Sequence, residues 1–316
     1  MTGVEVDGPF VVVGAGVIGA GWAALALAAG RDVVAHDPDP DAQVRLRAAV
    51  DTAWPALERL GLADGATRDR LRFLASLPEA VADAGFVQEN GPERLDLKGA
   101  LLAELDRHTP PEVVIASSSS GLLPSALQAM CPGHPERVLV GHPFHPVQLV
   151  PLVEVVPGAA SSQGAVEAAL ACYRGLGKHP IVVRAELPGH VTNRLQAALW
   201  QEAYALVERG VVTVAEVDAA IAHGPGLRWA LLGPLVNQHL SGGVGGLAHT
   251  LAHLGPPAQE WMRDLRPVEL TPELAARLVA GVDDGLAGVD EAELVRARDD
   301  LLVGLLAAKR THPAIP

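Results

Sequence analysis

A histidine and a glutamate are the residues best placed for proton transfer in this sequence. His142 ends the apolar run at residues 138–141, and Glu154 lies twelve positions later inside a second apolar run, LVEVV. An imidazole titrates near neutral pH, so it can accept a proton from a substrate hydroxyl. Burying a carboxylate in an apolar strand costs free energy unless the carboxylate is paired. An imidazole is a suitable partner, because the carboxylate would orient the ring and stabilise the imidazolium formed in the reaction. A structural histidine and a glutamate on a solvated strand face fit these facts equally well.

Two polar positions elsewhere could hold a substrate oxygen. Four consecutive serines, residues 117–120, follow the apolar run VVIA, and Asn193 begins a helical pattern in GHVTNRL. Ligands of open α/β sheets bind at the carboxyl ends of the strands, where these serines would lie. The hydroxyl of Ser120 and the amide of Asn193 could hold the oxygen between them. Helix capping is the commoner role of such residues when they are isolated.

The element that would position a cofactor begins at residue 10. The stretch FVVVGAGVIGAGWAALALAAGRDVVAHD predicts a buried strand, a glycine turn, an Ala-rich helix and a second strand that ends at Asp37. Gly14 permits the tight turn, Gly16 lets the backbone approach a pyrophosphate, and Gly19 lets the helix pack closely on the strand. The predicted cofactor contacts here are Gly14, Gly16, Val17, Ile18, Gly19 and Asp37.

Asp37 indicates which dinucleotide is bound. It is placed to accept hydrogen bonds from a ribose diol, and it is followed by Pro-Asp-Pro with no adjacent arginine to receive a 2′-phosphate. We therefore predict NAD rather than NADP. The alternative is a glycine-rich core turn without a ligand, which the flanking strand, helix and acid make the weaker interpretation.

The alternation of elements predicts the fold. Further strand-like runs occur at residues 72–77, 85–88, 113–116, 138–141, 149–156 and 180–183, with helical patterns between several of them. This order predicts βαβ units and a mostly parallel sheet, and after residue 183 only helical patterns follow. Thr213 and Glu216 predict a capping box, and HLSGGVGGLAH predicts an interhelical turn. We predict an α/β protein with a dinucleotide-binding Rossmann domain over residues 1–186 and an all-helical domain over residues 187–316.

Composition excludes several classes of function. A net charge of −13 argues against non-specific binding of nucleic acid, which requires a basic surface. We find no apolar run long enough to span a membrane, and residues 1–9 lack the features of a signal peptide. Cys131 and Cys172 form no metal or redox motif. We expect a cytoplasmic protein without a metal site.

Several ordered segments together resemble a known family. They are VVVGAGVIGAGWA, QENGPERLDLK, ASSSSGLLPS, GHPFHPVQLVPLVEVV, LPGHVTNRLQ and GPGLRWALLGP. Along nearly its whole length the chain resembles the 3-hydroxyacyl-CoA dehydrogenase superfamily. It looks most like the short branch with lambda-crystallin/L-gulonate 3-dehydrogenase, L-carnitine dehydrogenase and polyketide ketoreductases. The resemblance implies a Rossmann domain with NAD, followed by a helical substrate-binding domain that forms a homodimer.

The resemblance also implies roles for individual residues. His142 would be the catalytic base and Glu154 its partner, while Ser120 would contact the reacting oxygen. Asn193 would help to position the substrate or the nicotinamide.

Three further positions match the family less directly. Glu93 and Lys98 fall where the family places residues beside the cofactor and substrate; without the resemblance both would be ordinary charges on a helix surface. Arg228, in GLRWA, is a candidate for an anionic substrate group, because its guanidinium matches a carboxylate. A structural salt bridge is the alternative for Arg228.

Two histidines depart from the family pattern. The usual HPFNP is HPFHP here, so His145 replaces an amide, and we predict it as a substrate contact. His190 stands where the family has an aromatic or aliphatic residue after LPG. Both departures bear on the substrate more than on the type of reaction.

The sequence therefore predicts an NAD-dependent dehydrogenase that reversibly oxidises a 3-hydroxy acid or 3-hydroxyacyl thioester. A ketoreductase of secondary metabolism, acting on a polyketide-derived β-keto group, is a second hypothesis. A non-catalytic NAD-binding structural protein is the hypothesis from a different class.

Overall fold

The computed structural model describes residues 8–312, 314 and 315. The expectation of no signal peptide rests on residues that lie largely outside this range. Within the described residues, eight strands form one sheet. They are β1 Phe10–Val13, β2 Val33–His36, β3 Leu71–Phe73, β4 Phe86–Glu89, β5 Ile115–Ser117, β6 Val138–Pro143, β7 Leu152–Pro157 and β8 His179–Val182.

The sheet is mostly parallel, as the alternation of elements predicts. The strand order is β3-β2-β1-β4-β5-β6-β7-β8, and the pairing is parallel except between β6 and β7. The order reverses between β1 and β4, and ligands of open α/β sheets bind beside such a reversal. The helices of this part are α1 Val17–Ala28, α2 Ala42–Leu60, α3 Leu77–Val81, α4 Leu95–His108, α5 Pro124–Gln128 and α6 Gln163–Gly175.

The central strands are apolar on both faces because helices cover both. In β1, Phe10 and Val12 belong to one buried cluster with α1, while Val11 and Val13 belong to a second cluster with α3 and α4. Burial on both faces is why these strands read as continuous apolar runs. The buried sheet therefore holds in place the polar residues that follow its strands at the carboxyl edge.

Two predicted strands are shorter in the structure, for local reasons. β3 ends at Phe73, and Leu77 starts α3 because the Ser76 hydroxyl caps that helix by accepting from Glu79 N. β7 starts at Leu152, because residues 149 and 150 form a turn in which both amides donate to the Pro146 carbonyl.

The remaining helices are α7 Thr192–Glu208, α8 Val214–Ala222, α9 Pro225–Trp229, α10 Pro234–Ser241, α11 Gly246–Asp264, α12 Pro272–Gly285 and α13 Glu291–Arg310. No strand follows β8 in the described part of the chain. The chain divides into two compact units between Arg194 and Leu195.

The local predictions for the helical unit are confirmed. The Thr213–Glu216 capping box is present, and the glycine-rich stretch is a short 3₁₀ turn between α10 and α11. α11 continues through Pro256 and Pro257, which a sequence reading takes as a stop signal. No described helix is long and apolar enough to cross a membrane.

Candidate active site

The glycine turn after β1 leaves space for a ligand at one glycine and none at the others. A Cβ on Gly14, whose φ is +88°, would lie 2.8 Å from the Asn90 carbonyl oxygen, and one on Gly19 would lie 2.0 Å from the Gly14 oxygen. A Cβ on Gly16 would meet no atom within 4 Å. No side chain caps α1, which begins at the next residue, Val17. An uncapped helix end beside open space fits the pyrophosphate of a dinucleotide.

Asp37 lies directly beside this turn. Its Oδ2 accepts from Ala15 N at 2.8 Å and its Oδ1 accepts from Asp39 N at 2.9 Å. A carboxylate oxygen can accept more than one hydrogen bond, so these contacts orient the group and leave capacity for a ribose diol. The turn and the acid therefore form one unit.

His142 and Glu154 form a buried pair across β6 and β7. The two residues are directly opposite in the antiparallel register, and His142 Nδ1 lies 2.9 Å from Glu154 Oε2. Glu154 is 0% exposed, so the alternative of a glutamate on a solvated strand face is wrong. Because a carboxylate only accepts, Nδ1 carries the proton and Nε2 keeps its lone pair. Nε2 makes no hydrogen bond within the described residues.

The second oxygen of Glu154 is also fully bonded. Oε1 accepts from Val191 N at 3.0 Å, Thr192 N at 2.8 Å and Thr192 Oγ1 at 3.1 Å. Burial alone would raise the pKa of the Glu154 carboxyl, but the hydrogen bonds from His142, Thr192 and Val191 hold that pKa below its usual value. The group therefore remains an anion beside the imidazole.

Glu93 binds the loop that follows β5. Its Oε1 accepts from Ser119 Oγ at 2.6 Å, Ser120 N at 3.0 Å and Gly121 N at 2.9 Å. Burial opposes ionisation, yet the hydrogen bonds from Ser119, Gly121 and Leu122 and the nearby Lys98 lower the pKa of Glu93. Glu93 lies just before α4 with a side chain that is 41% exposed, so it is a surface charge, but one that binds the serine loop rather than a helix-surface charge without a partner.

Lys98 is inside α4 and is 1% exposed, so the interpretation of this residue as a helix-surface charge is wrong. Its ammonium donates to both oxygens of Glu89, each at 2.9 Å, and to the Gly91 carbonyl at 3.0 Å. These three acceptors use the three ammonium protons. Ser117 Oγ also donates to Glu89 Oε2, at 2.6 Å. The Lys98–Glu89 ion pair therefore links the carboxyl ends of β4 and β5. A direct contact of Lys98 with the cofactor stays a prediction.

Ser120 and Asn193 are brought together, although not through the Ser120 hydroxyl. Asn193 Nδ2 donates to the Ser120 carbonyl at 3.1 Å. Ser120 is exposed, and its hydroxyl makes no hydrogen bond within the described residues. That hydroxyl is therefore available to a ligand.

The two departing histidines have different environments. His190 is fully buried with its ring centroid 5.5 Å from that of His142, whereas His145 is exposed. Phe144 separates His145 from His142 in the chain and packs edge-on against the His142 ring at 4.6 Å.

Arg228 belongs to α9 in the helical unit and is exposed. Its guanidinium forms no ion pair among the described residues, so the alternative of a structural salt bridge is not borne out. Its binding of an anionic group stays a prediction.

A buried polar network lies under the site and was missed from sequence. Gln88 Nε2 donates to Ser118 Oγ at 2.8 Å and to the Gly141 carbonyl at 3.2 Å, while Tyr173 OH donates to Gln88 Oε1 at 2.7 Å. A Cβ on Gly141 would lie 1.8 Å from the Tyr173 oxygen, which explains the glycine beside His142. The only sequence signal was a polar pair, Gln88-Glu89, at the end of an apolar run.

The loop between β6 and β7 is held by a buried lysine that sequence reading also missed. Lys178 Nζ donates to the carbonyls of Val147 and Val150 and lies 5.2 Å from the Trp22 ring centroid. Burial lowers the pKa of Lys178 to about 7. A Cβ on Gly21 would lie 2.7 Å from Val147 Cβ, so this glycine lets the loop pack on α1.

A glycine turn with an acid oriented beside it and a buried histidine paired with a carboxylate are the features expected of a nucleotide-dependent dehydrogenase. The family comparisons give the more particular class. The model of the 3-hydroxyacyl-CoA dehydrogenase NAD binding domain matches residues 10–186, and that of the 3-hydroxyacyl-CoA dehydrogenase C-terminal domain matches residues 189–279. The chain belongs to the 3-hydroxyacyl-CoA dehydrogenase family.

Similar proteins span nearly the whole chain. An L-carnitine dehydrogenase of Nocardiopsis dassonvillei is 53% identical over 94% of this chain and 90% of its own length. One of Pseudomonas aeruginosa is 50% identical, over 96% and 95%. The crystal structure of 5-formyl-3-hydroxy-2-methylpyridine 4-carboxylic acid 5-dehydrogenase, an NAD+-dependent dismutase, has a TM-score of 0.83 and 26% identity, over 96% of this chain and 98% of that one.

These findings confirm the resemblance predicted from the motifs. The protein is an oxidoreductase that acts on the CH–OH group of a 3-hydroxy substrate, and it has an NAD-binding domain.

Proposed function

We propose that the protein oxidises L-carnitine, or a closely similar 3-hydroxy carboxylate, to the 3-keto acid with NAD. The observation that carries the chemistry is the His142–Glu154 pair, in which Nε2 is left as the free basic atom. The relatives at 50% and 53% identity over almost their full length support carnitine as the substrate.

His142 is the base in this proposal. Nε2 takes the proton of the substrate hydroxyl, and the resulting imidazolium is stabilised by the Glu154 carboxylate at 2.9 Å. Glu154 stays ionised throughout, because its other oxygen is held by the amides of residues 191 and 192. The reverse reaction uses the same imidazolium as the acid.

The residues of the glycine turn hold the cofactor. Gly16 gives the backbone access to the pyrophosphate, with Val17 and Ile18 at the start of α1, and Asp37 binds the ribose diol. When bound, the nicotinamide supplies the hydride acceptor. Asp37 would hold the ribose diol, and its carboxylate, with that of Asp39 two residues on, would repel a 2′-phosphate, which supports NAD rather than NADP as the cofactor.

Substrate positioning falls to the neighbouring polar groups. The free hydroxyl of Ser120 binds the reacting oxygen, and Asn193 fixes the Ser120 backbone through its carbonyl. Glu93 acts on the same loop through the amides of residues 120 and 121. His145, exposed beside Phe144, is the candidate contact for the rest of the substrate.

We also propose a homodimer, formed through the helical unit. Few of its side chains are buried, namely Ala205, Val207, Leu274 and Val303. Trp261, Leu235 and Leu301 are at least 65% exposed. An apolar cavity of about 420 Å³ lies between α7, α8 and α12, lined by Trp200, Tyr204, Val217 and Leu278 among others. Because the helical unit has so little core of its own, we expect its apolar surface to be covered by the same unit of a second copy of the chain. Sedimentation analysis checks this: a monomer at micromolar concentration would contradict it.

The test of the activity follows NADH absorbance with L-carnitine, D-carnitine, 3-hydroxybutyrate and 3-hydroxybutyryl-CoA. We expect the largest kcat/KM with L-carnitine, and a loss of at least roughly 100-fold in His142→Ala. NADH binding by fluorescence should stay unchanged in this variant, because the glycine turn is intact. Turnover that survives in His142→Ala would refute the role of the base. A preference for the CoA ester, or for a polyketide-type β-keto compound, would refute the carnitine assignment alone.

A further inference from the structure

His190 is a buried imidazole beside the His142–Glu154 pair with one nitrogen bonded and one unpaired. Nε2 lies 3.3 Å from the Ser119 carbonyl, while Nδ1 is buried without a hydrogen-bond partner among the described residues. The residue is 0% exposed, so it cannot touch a substrate in this conformation. Any effect on the reaction must pass through its neighbours.

The hydrogen bond fixes the protonation state of the ring. A carbonyl only accepts, so Nε2 carries the proton and Nδ1 is a lone pair in the neutral ring. A charged ring would place a second N–H in a buried position that offers it no acceptor. The ionisable groups that face His190 are His142, Glu154 and Glu93. Burial lowers the pKa of His190; the Ser119 carbonyl and the two carboxylates oppose this, His142 adds to it, and the net direction is downward.

The backbone at His190 is also unusual. Its φ is +51°, in the left-handed region that few residues other than glycine adopt, although histidine is among the more tolerant ones. The next two amides, those of Val191 and Thr192, donate to Glu154 Oε1. The strained backbone of His190 therefore lies directly before the two amides that hold the Glu154 carboxylate.

Residues 190–193 bind both halves of the site. His190 donates to the Ser119 carbonyl and Asn193 donates to the Ser120 carbonyl. The two residues between them hold Glu154. The segment therefore fixes the distance between the serine loop and the histidine base.

We propose that His190 is a positioning residue, whose ring holds residues 119 and 120 in register with His142 so that the Ser120 hydroxyl meets the oxygen being deprotonated. This inference rests on the proposed function. A displacement of a substrate-positioning group by about 1 Å can lower the rate roughly 100-fold. Loss of the single hydrogen bond between His190 and Ser119 is therefore expected to affect kcat.

The kinetic test compares His190→Phe with His190→Gln. Phenylalanine keeps a ring of similar size but cannot donate to Ser119, so we expect kcat to fall roughly 10- to 100-fold with little change in KM. NADH affinity should stay within about twofold, because the glycine turn is untouched. Glutamine offers an amide N–H and should recover most of the lost kcat. His134→Phe is the matched control, since the His134 side chain is 41% exposed and its ring contacts only Glu136 among the described residues.

Two further measurements keep the inference open to refutation. If His190→Phe does not fold, His190→Gly tolerates the left-handed backbone, has no side-chain donor for the Ser119 carbonyl and should show the same loss of kcat. Nitrogen-15 NMR of the wild-type protein at pH 7 should show a neutral His190 ring that is protonated on Nε2 only.

The outcomes separate this inference from the proposed function. Unchanged kcat in His190→Phe, a change in KM alone, or a charged His190 at pH 7 would overturn the positioning role. Absence of turnover in the wild type would instead overturn the proposed function, while the NMR result still decides the state of the His190 ring.

Discussion

Replacing Glu154 by glutamine tests the His142–Glu154 pair with almost no change of shape. Glu154 uses Oε1 for two amides and a hydroxyl and Oε2 for His142 Nδ1. In the variant, the amide oxygen must keep the side with the three donors, so the amide nitrogen faces His142 Nδ1. That nitrogen donates, and it forces the imidazole proton onto Nε2, where the base must have a lone pair.

The size of the effect follows from this reversal. The comparable change in serine proteases, which also produces the wrong tautomer, lowers kcat roughly 10⁴-fold. We expect a loss of roughly 10³- to 10⁴-fold in kcat/KM, or about 4–5.5 kcal/mol of transition-state stabilisation. NADH affinity should not change, because Glu154 has no contact with the glycine turn.

The assay measures NADH formation at saturating NAD across pH 6–10. Glu136→Gln is the matched control, because it alters a similar histidine–glutamate contact, 3.1 Å from His134, on the surface of the same unit. The control should keep kcat/KM within about twofold. If Glu154→Gln retains more than a tenth of wild-type kcat/KM, the reasoning from the buried pair is refuted.

Further predictions concern the cofactor site and acid stability. Gly19→Ala should lower the melting temperature, since overpacking typically costs about 1–3 kcal/mol and this Cβ would lie 2.0 Å from the Gly14 oxygen. Gly16→Ala should keep the melting temperature but weaken NADH binding measured by fluorescence; equal melting temperatures for the two variants would contradict this. Asp37→Ala should raise the KM for NAD more than the KM for NADP. The ratio of the KM for NADP to the KM for NAD should therefore fall relative to the wild type. The pKa of Glu154 is lowered from 4.5, so the unfolded chain binds more protons below that pH. Its contribution to the free energy of unfolding is therefore present above about pH 4.5 and is lost as pH falls through the folded-state pKa. Urea titrations at pH 7, 4.5 and 3.5 check this, and Glu154→Gln should show a shallower decline.

Local signals predicted most of the fold and the outline of the site. The glycine turn, Asp37 and the apolar runs are short-range patterns, because each depends on neighbours within one βα unit. His142 and Glu154 were recognisable because a polar residue inside an apolar run demands a partner. The sequence could not show that His142 and Glu154 are each other's partners, because that depends on the register of two antiparallel strands.

The parts that were missed depend on contacts between distant elements. Lys98 reads as a helix-surface charge until the end of β4 places Glu89 beneath it. Glu93 reads in the same way until four groups of the loop after β5 converge on it. Thr192 and Lys178 bind partners 38 and 28 or more residues away, and no local periodicity encodes such pairs.

The antiparallel register of β6 and β7 determines where the chain tolerates insertions. Side chains of a strand alternate between the two faces of the sheet, so one extra residue in either strand before the pair would turn His142 or Glu154 to the opposite face. The sequence distance of twelve residues between them has no such importance. A library of single-residue insertions should therefore show two narrow intolerant windows, one in each strand, rather than one window spanning the interval. Homologues could differ in the length of the intervening loop and keep the same base.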